Sequence, residues 1–430
     1  MAGLAPPRLR DHPFVPVVAT GRALPALLGS PIDGLRVFTM HDGTLGPIPF
    51  QVDQRHRDGR WVWDTVPAGA DGEIQPPAEL AGAEDGWWET SRQPHAAGDD
   101  QDPPGHRLFD ANDELVFMSR DLGPRLDHPP ERLGDARVVE LHVRSEVFGA
   151  DGWAYVAAFD TDPPPRSSTR YIEYDDDANL VRTPIYAFRF SDTRVALIRD
   201  LRVIGQPLVD RIKIRGEVLL HLPPPLHRIS FDEEAIMGRT RGYIAGPIRV
   251  IKQNQAHLQL AGGLVKTPGV TCEHVYYPHF ARVPICMSVR FPVRSVRMTV
   301  TTDYSDPPFH HVYLGRHPDT SGSDWIALDT DRVSILSVLA VPQELRAHVE
   351  TRSCICQPHH PAAGERNGAH ETMGAGFAIQ SLPDCPKGEH VLYGVYLLTP
   401  RPYEPGDERR ALGLREPDVD LRIVRVWEAR

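Results

Sequence analysis

The sequence predicts an all-β protein: a large antiparallel β-sandwich preceded by a smaller β module, with little helix. Three observations carry this. Proline fills 42 of 430 positions, roughly twice its usual share of about 5%. Its missing N–H and fixed φ break long helices and suit strand ends and turns. Short β-branched and aromatic runs recur between clusters of Gly, Pro and Asp. Finally, runs such as Val209-Asp-Arg-Ile-Lys-Ile-Arg215 alternate apolar and charged residues, the period of a strand with one wet face.

The smaller module is expected over residues 1–134. Phe14–Thr20 is rich in β formers, and Leu35–Met40 follows a Pro-Ile-Asp-Gly turn. His41-Asp42-Gly43 turns the chain toward Ile48–Val52, and Asp58-Gly59 reads as a hairpin turn between Phe50–Gln54 and Trp61–Trp63. Residues 67–105 hold many Gly, Pro, Asp and Glu without periodicity, which reads as a long polar insertion. Leu115–Ser119 is a short apolar strand, and the turn-rich 123–130 leads out of the module.

The large sandwich is expected over 135–430. Its strands are placed at Arg137–Val147, Trp153–Phe159, Thr169–Tyr174, Ile185–Phe190, Leu208–Arg215 and Gly216–His221. Gly246–Lys252, Ala256–Leu260, Val270–Tyr277, Pro284–Phe291 and Arg297–Thr301 continue the series, with a bulge expected in Val293–Val300. Trp325–Leu328, Val333–Val341, His348–Cys356, Gly376–Gln380, His390–Leu398 and Leu421–Glu428 complete it. Pro342–Ala347 has room for one helical turn, and a loop over about 352–371 holds His and Cys. No repeat of solenoid or propeller period is present.

With 47 basic and 58 acidic side chains, the chain carries a formal charge of −11. That argues against a nucleic-acid partner, because such binding rests on neutralising phosphates with a basic face. No apolar run reaches the roughly 18–20 residues of a membrane span. The five cysteines, Cys272, Cys286, Cys354, Cys356 and Cys385, form no CxxC pair, and their odd number leaves one over if the rest pair. Two disulfides are expected, Cys272–Cys286 closing a hairpin-sized loop and one of Cys354 and Cys356 reaching Cys385, with a fully reduced chain as the alternative. The first residues lack the apolar stretch of a signal peptide. The expected address is nonetheless secreted or periplasmic, as a mature form, because proline-tied strands suit an exported β protein.

Several motifs carry chemistry. Asp110, Asn112 and Glu114, alternating into a strand, are hard oxygen ligands of the kind calcium takes. The EF-hand pattern fails, because its glycine position is Leu115, and an Asx-rich turn entering a buried strand is the competing reading. His310, His359, His360 and His370, near Cys354, Cys356 and Met373, are the residue types of a transition-metal set.

Ile48-Pro-Phe-Gln-Val-Asp53, paired with Leu108–Met118, resembles a group of secreted bacterial proteins that often sit near polysaccharide-degrading enzymes. Gly242-Tyr-Ile-Ala-Gly-Pro-Ile-Arg-Val-Ile251, with Glu273-His-Val-Tyr-Tyr-Pro278, is similar to the large sandwich of galactose-mutarotase-like, polysaccharide-lyase-type proteins. The resemblance implies a carbohydrate-facing sandwich. From the residues themselves, β-elimination on uronates needs a group to neutralise the carboxylate, a base and an acid. Arg249, Asn254, His274 and Tyr277 are the types such a site uses. On a strand, His274 and Tyr276 share one face, while Glu273, Val275 and Tyr277 share the other.

Three functions compete. The first is a secreted carbohydrate-binding protein, with Trp61, Trp63, Trp153, Tyr276 and above all Trp87 and Trp88 stacking on sugar rings. The second is an accessory or structural subunit of an extracellular assembly, binding another protein and holding metal or redox groups. The third is the lyase.

Overall fold

The computed structural model describes residues 8–12, 14–56, 59–65, 108–127, 133–191, 198–221, 227–260, 265–267, 269–289, 293–304, 309–316, 323–356, 374–381, 386, 388–415 and 419–427. All of the expected polar insertion at 67–105, with Trp87 and Trp88, lies outside these residues, as do His317, His359, His360, His370, Met373 and Cys385.

The chain is all-β. Among the described residues its strands pair antiparallel into four sheets of three, five, nine and ten strands, and the one α-helix is Asp407–Gly413. The nine- and ten-stranded sheets form the large sandwich. Between them lie Phe188, Phe190, Val203 and Ile212 from one sheet and Val250, Tyr276, Ile335 and Leu398 from the other.

The ten-stranded sheet is buried on its second face as well. There Ile251, Tyr277, Phe280, Val338 and Leu397 pack against Val116 and Met118 of the three-stranded sheet and Ala411 and Leu414 at the helix. The small sheet in turn sends Leu115 and Phe117 the other way, onto Val139, Leu141 and Val156 of the five-stranded sheet. Glu114–Met118 is the centre of the small sheet, and the unbroken apolar run Leu115–Met118 within it is what a strand buried on both faces requires. The described residues therefore form a stack of four sheets with a core at each of its three interfaces, and a fourth, smaller cluster of Phe38, Leu133, Ala136, Val138, Tyr155 and Ala157 lies at the five-stranded sheet.

Hydrogen-bonded pairing runs across residue 134. The five-stranded sheet takes Leu35–His41 and Thr44–Pro47 from before it, and Arg137–Ser145, Ala150–Ala158 and Asp420–Trp427 from after it.

Several boundaries differ from the sequence reading. Leu208–Arg215 and Gly216–His221 are one strand, Gln206–Leu220, and Gly246–Lys252 with Ala256–Leu260 are also one, Val250–Leu260. Polar residues inside these strands read as breaks in the sequence, but they are flanked by hydrogen-bonded neighbours on both sides. Ile236–Ala245 was not expected as a strand; it forms because its backbone pairs with Val250–Leu260. The bulge in Val293–Val300 is present, where Leu219 faces Ser295 and Leu220 faces Val293. The helical turn in Pro342–Ala347 is the 3-10 turn Gln343–Leu345.

Candidate functional site

The two pairs of motifs that carry the carbohydrate resemblance meet in space, between the three-stranded sheet and the ten-stranded one. Arg249, only 2% exposed, is the junction. Its Nε donates to Asp53 Oδ2 (2.7 Å), one Nη to Glu114 Oε2 (2.6 Å) and the other to the Tyr277 hydroxyl oxygen (3.0 Å). Glu114 Oε1 accepts from Arg55 at 2.8 and 3.1 Å. Gln51 closes the network: its Oε1 accepts the backbone N–H groups of Ile248 and Arg249, both at 2.9 Å, and its Nε2 donates to Asp53 Oδ1 at 2.7 Å. Gly246 is required here, because a Cβ at that position would run into the Gln51 amide.

The electrostatics follow from burial and pairing. Burial pushes the Asp53 carboxyl up, with Arg249 and Gln51 pulling the other way. Burial also acts on Glu114, but Arg249 and Arg55 outweigh it and hold that carboxyl below its ordinary value. Arg249 is held well above its ordinary value: burial opposes its charge, and Tyr277, Asp53 and Glu114 override that.

The acidic turn of 110–114 is an Asx turn. Asp110 Oδ1 accepts the N–H groups of Asn112 (3.0 Å) and Asp113 (3.2 Å), and the Asn112 side chain donates to the His56 carbonyl. Asp113 accepts from the backbone of Arg55 and Asp110, and burial raises it to about 6. Both Glu114 oxygens face guanidinium groups, so a calcium ion at Glu114 would share that carboxylate with two cations. Among the described residues, no three His, Cys, Asp or Glu converge as a metal-holding group. His310 is surface-exposed, with Asp331 3.7 Å away.

The sheet divides the four residues expected for elimination chemistry. Arg249 and Tyr277 touch on its outer face. His274 and Asn254 are buried on the inner one, the face of Val250 and Tyr276. His274 accordingly shares its face with Tyr276, its Nδ1 3.0 Å from the Tyr276 hydroxyl. Tyr276 is fully buried in the sandwich core and presents no surface to a ligand.

Facing His274 across the strand pair is Lys252, also fully buried. Its Nζ donates to Asn179 Oδ1 at 2.6 Å and lies over the rings of Tyr174 and Phe190. Burial lowers Lys252 to about 7, and burial with the adjacent Lys252 charge lowers His274 to about 3.

The tryptophans separate similarly. Trp61 is 5% exposed, beneath the Arg55 guanidinium at 3.4 Å, and its indole N–H donates to Glu273 at 2.6 Å. It belongs to the network rather than to an exposed sugar platform, because two cations and a carboxylate already cover it. Trp153 stacks on His142 with ring centroids 4.4 Å apart, with Arg125 over the ring.

Trp63 remains. It lines a cleft of about 660 Å³ beside the network, together with Phe50, Gln51, Asp64, Arg166 and Arg170. The segment after Trp63 is fastened to the sheet edge, where Thr65 bridges Tyr243 and Asp64 accepts the Ala245 N–H at 2.9 Å. Gly242 lets the indole lie down, since a Cβ there would come within 2.6 Å of the ring. On the opposite side, Tyr171 N–H donates to the Pro247 carbonyl at 2.8 Å, and Arg166 donates to the Ile32 carbonyl at 2.9 Å. Gln51, Asp64 and Arg166 were not singled out by sequence, because nothing in their spacing reveals that they face one cleft.

Cys272 and Cys286 form the expected disulfide, their Cα atoms 6.1 Å apart. No helix among the described residues is long and apolar enough to cross a membrane.

No protein-family model and no curated protein matches the chain. Among solved structures, it is similar to an alpha-mannosidase from Enterococcus faecalis V583, at 6% identity and TM-score 0.38 over 74% of this chain and 37% of that one. It is also similar to a glycosyl hydrolase family 38 protein from Enterococcus faecalis, at 7% identity and TM-score 0.40 over 97% and 46%. A family GH92 alpha-mannosidase from Bacteroides thetaiotaomicron is similar at 9% identity and TM-score 0.23 over 55% and 31%. The chain thus spans less than half the length of each.

Proposed function

We propose that the protein is an exported carbohydrate-binding β-sandwich protein whose sugar site is the cleft at Trp63. The observation that carries this is the make-up of the cleft. Half-buried Trp63 supplies ring surface, while the exposed Asp64, Arg166 and Arg170 supply hydrogen-bonding groups. A sugar ring has one apolar face and a rim of hydroxyls, and that pairing of flat aromatic surface with directional polar groups suits it. The buried Gln51–Asp53–Arg249 network behind the cleft holds one wall rigid, which lowers the ordering cost of binding. The Cys272–Cys286 disulfide supports the exported address, since such bonds persist in oxidising compartments.

The test is a screen of the whole protein against immobilised oligosaccharides, followed by titration of the best ligand into wild type, Trp63→Ala and Arg170→Ala. Arg170 is exposed, so its substitution is expected to leave the fold intact. Both substitutions should weaken binding by about tenfold or more, a loss of about 1.4 kcal/mol. Full-strength binding by both variants, or no ligand across the screen, would remove the cleft from consideration.

A further inference from the structure

A second, larger groove lies on the far side of the sandwich, and its lining runs against the charge of the whole. It measures about 1270 Å³ and is lined by Arg215, Arg228, Arg297, Arg316, Arg346 and Arg352. Only three carboxylates, Glu217, Asp324 and Glu350, share the surface. The chain as a whole carries −11.

The sheet register explains the clustering. Arg215 faces Thr299, Glu217 faces Arg297, Arg297 faces Gln380, and Arg352 faces Ala378. With a side-chain period of two, these positions fall on one face of the nine-stranded sheet. From Arg228–Asp232 across to Val349–Cys356 is four inter-strand steps, or roughly 19 Å at about 4.8 Å per step.

Some of this charge is already paired. Glu217 accepts from Arg228 at 2.6 Å and lies 3.4 Å from Arg297, Arg316 pairs with Asp324 at 3.1 Å, and Arg215 pairs with Glu233 beside the groove. These pairs aim the guanidinium groups. Among the described residues, Arg346 and Arg352 have no carboxylate partner, and Arg297 shares Glu217 with Arg228.

We propose that this groove binds an acidic polysaccharide, a linear chain of uronate residues whose carboxylates pair with Arg297, Arg346 and Arg352. Guanidinium forks match carboxylates bidentately, and Arg297 and Arg352, two strands apart, with Arg346 on the turn before Val349–Cys356, suit a polymer with a charge on each unit. A single-stranded nucleic acid fits less well. Its bases need aromatic platforms, and the one aromatic ring in the lining, Phe231, is laid against Gly216. The proposal does not rest on the glycan reading of the Trp63 cleft.

The test is calorimetric titration of a long galacturonate oligomer into the full-length protein at low and at high salt. Duplex DNA, inorganic polyphosphate and a neutral dextran are run beside it. Binding of the oligomer that weakens with salt is expected, without comparable binding of the other three. Arg297→Gln with Arg352→Gln, both at exposed positions, should weaken it about tenfold or more. Glu350→Gln removes a carboxylate from the lining and should tighten it, an outcome that misfolding does not produce. Trp63→Ala should leave it unchanged. Absence of oligomer binding, equal binding of DNA or polyphosphate, indifference to the arginine changes, or no gain from Glu350→Gln would each overturn the assignment. Loss of oligomer binding in Trp63→Ala would place the polymer in the other cleft instead.

Discussion

Arg249 shows how much depends on one side chain. It joins Asp53, Glu114 and Tyr277 in a space from which water is excluded. Removing one partner of a buried ion pair leaves the other charges unsolvated, at a cost of about 3–5 kcal/mol. Arg249→Ala should therefore lower the unfolding free energy by that amount in urea titration, whereas Arg55→Ala, at the half-exposed end of the same network, should cost much less. Equal losses from the two would mean that burial of Arg249 is not the controlling factor.

Lys252 and His274 make the stability of the sandwich depend on pH. Both are buried bases whose neutral form the fold prefers, with Lys252 lowered to about 7 and His274 to about 3. Between the folded and unfolded values of such a group, the unfolded chain binds the proton and the folded one does not, so stability rises with pH. The Lys252 contribution is complete above about 10.5 and is lost as pH falls to about 7. The His274 contribution is complete above about 6.5 and is lost toward about 3. Lys252→Met should raise Tm at pH 7 and flatten its rise between pH 7 and 10. Asn179 Oδ1 keeps the Tyr174 hydroxyl as a donor in that variant. A Tm–pH profile unchanged from wild type would show that Lys252 finds water or an anion in the folded protein.

At the scale of elements, the Cys272–Cys286 bond ties Val270–Tyr276 to Ile285–Val289, two strands that sit beside each other without appearing as ladder partners. Closing a loop of 14 residues restricts the unfolded chain, worth about 3 kcal/mol in the entropic account. The Cys272→Ala, Cys286→Ala double variant should lose that in denaturant unfolding, and reduction of the native protein should produce the same shift.

The elements also show where reading from residues succeeds. Leu115–Met118 is apolar without interruption because both of its faces are covered, and Val270–Tyr276 continues into Tyr277 with the alternation its residues imply. The short helix Asp407–Gly413 escaped notice, although its acidic start and later Arg410 fit the helix dipole. Seven residues are too few for a periodic signal.

At the scale of the molecule, four sheets stack so that the inner two are covered on both sides, and both candidate ligand surfaces lie where the stacking stops. The Trp63 cleft opens beside the junction of the small sheet and the sandwich, and the arginine groove lies across the outer strands of the large sheets.

Local chemistry was enough for the all-β class, the Cys272–Cys286 pair, the Asx turn at Asp110 and the division of His274 from Tyr277, because turn residues, strand period and short loops act between near neighbours. It also marked Val209–Arg215 as a strand with a wet face, half of what leads to the groove. Tertiary structure alone decided the rest. Arg249 met Asp53 across 196 positions, and Trp61 met Glu273 across 212. Arg215, Arg297 and Arg352 share one face only through the pairing of distant strands. Such contacts depend on which sheets stack and in what register, and that choice is made by burying whole faces together rather than by any single run of residues.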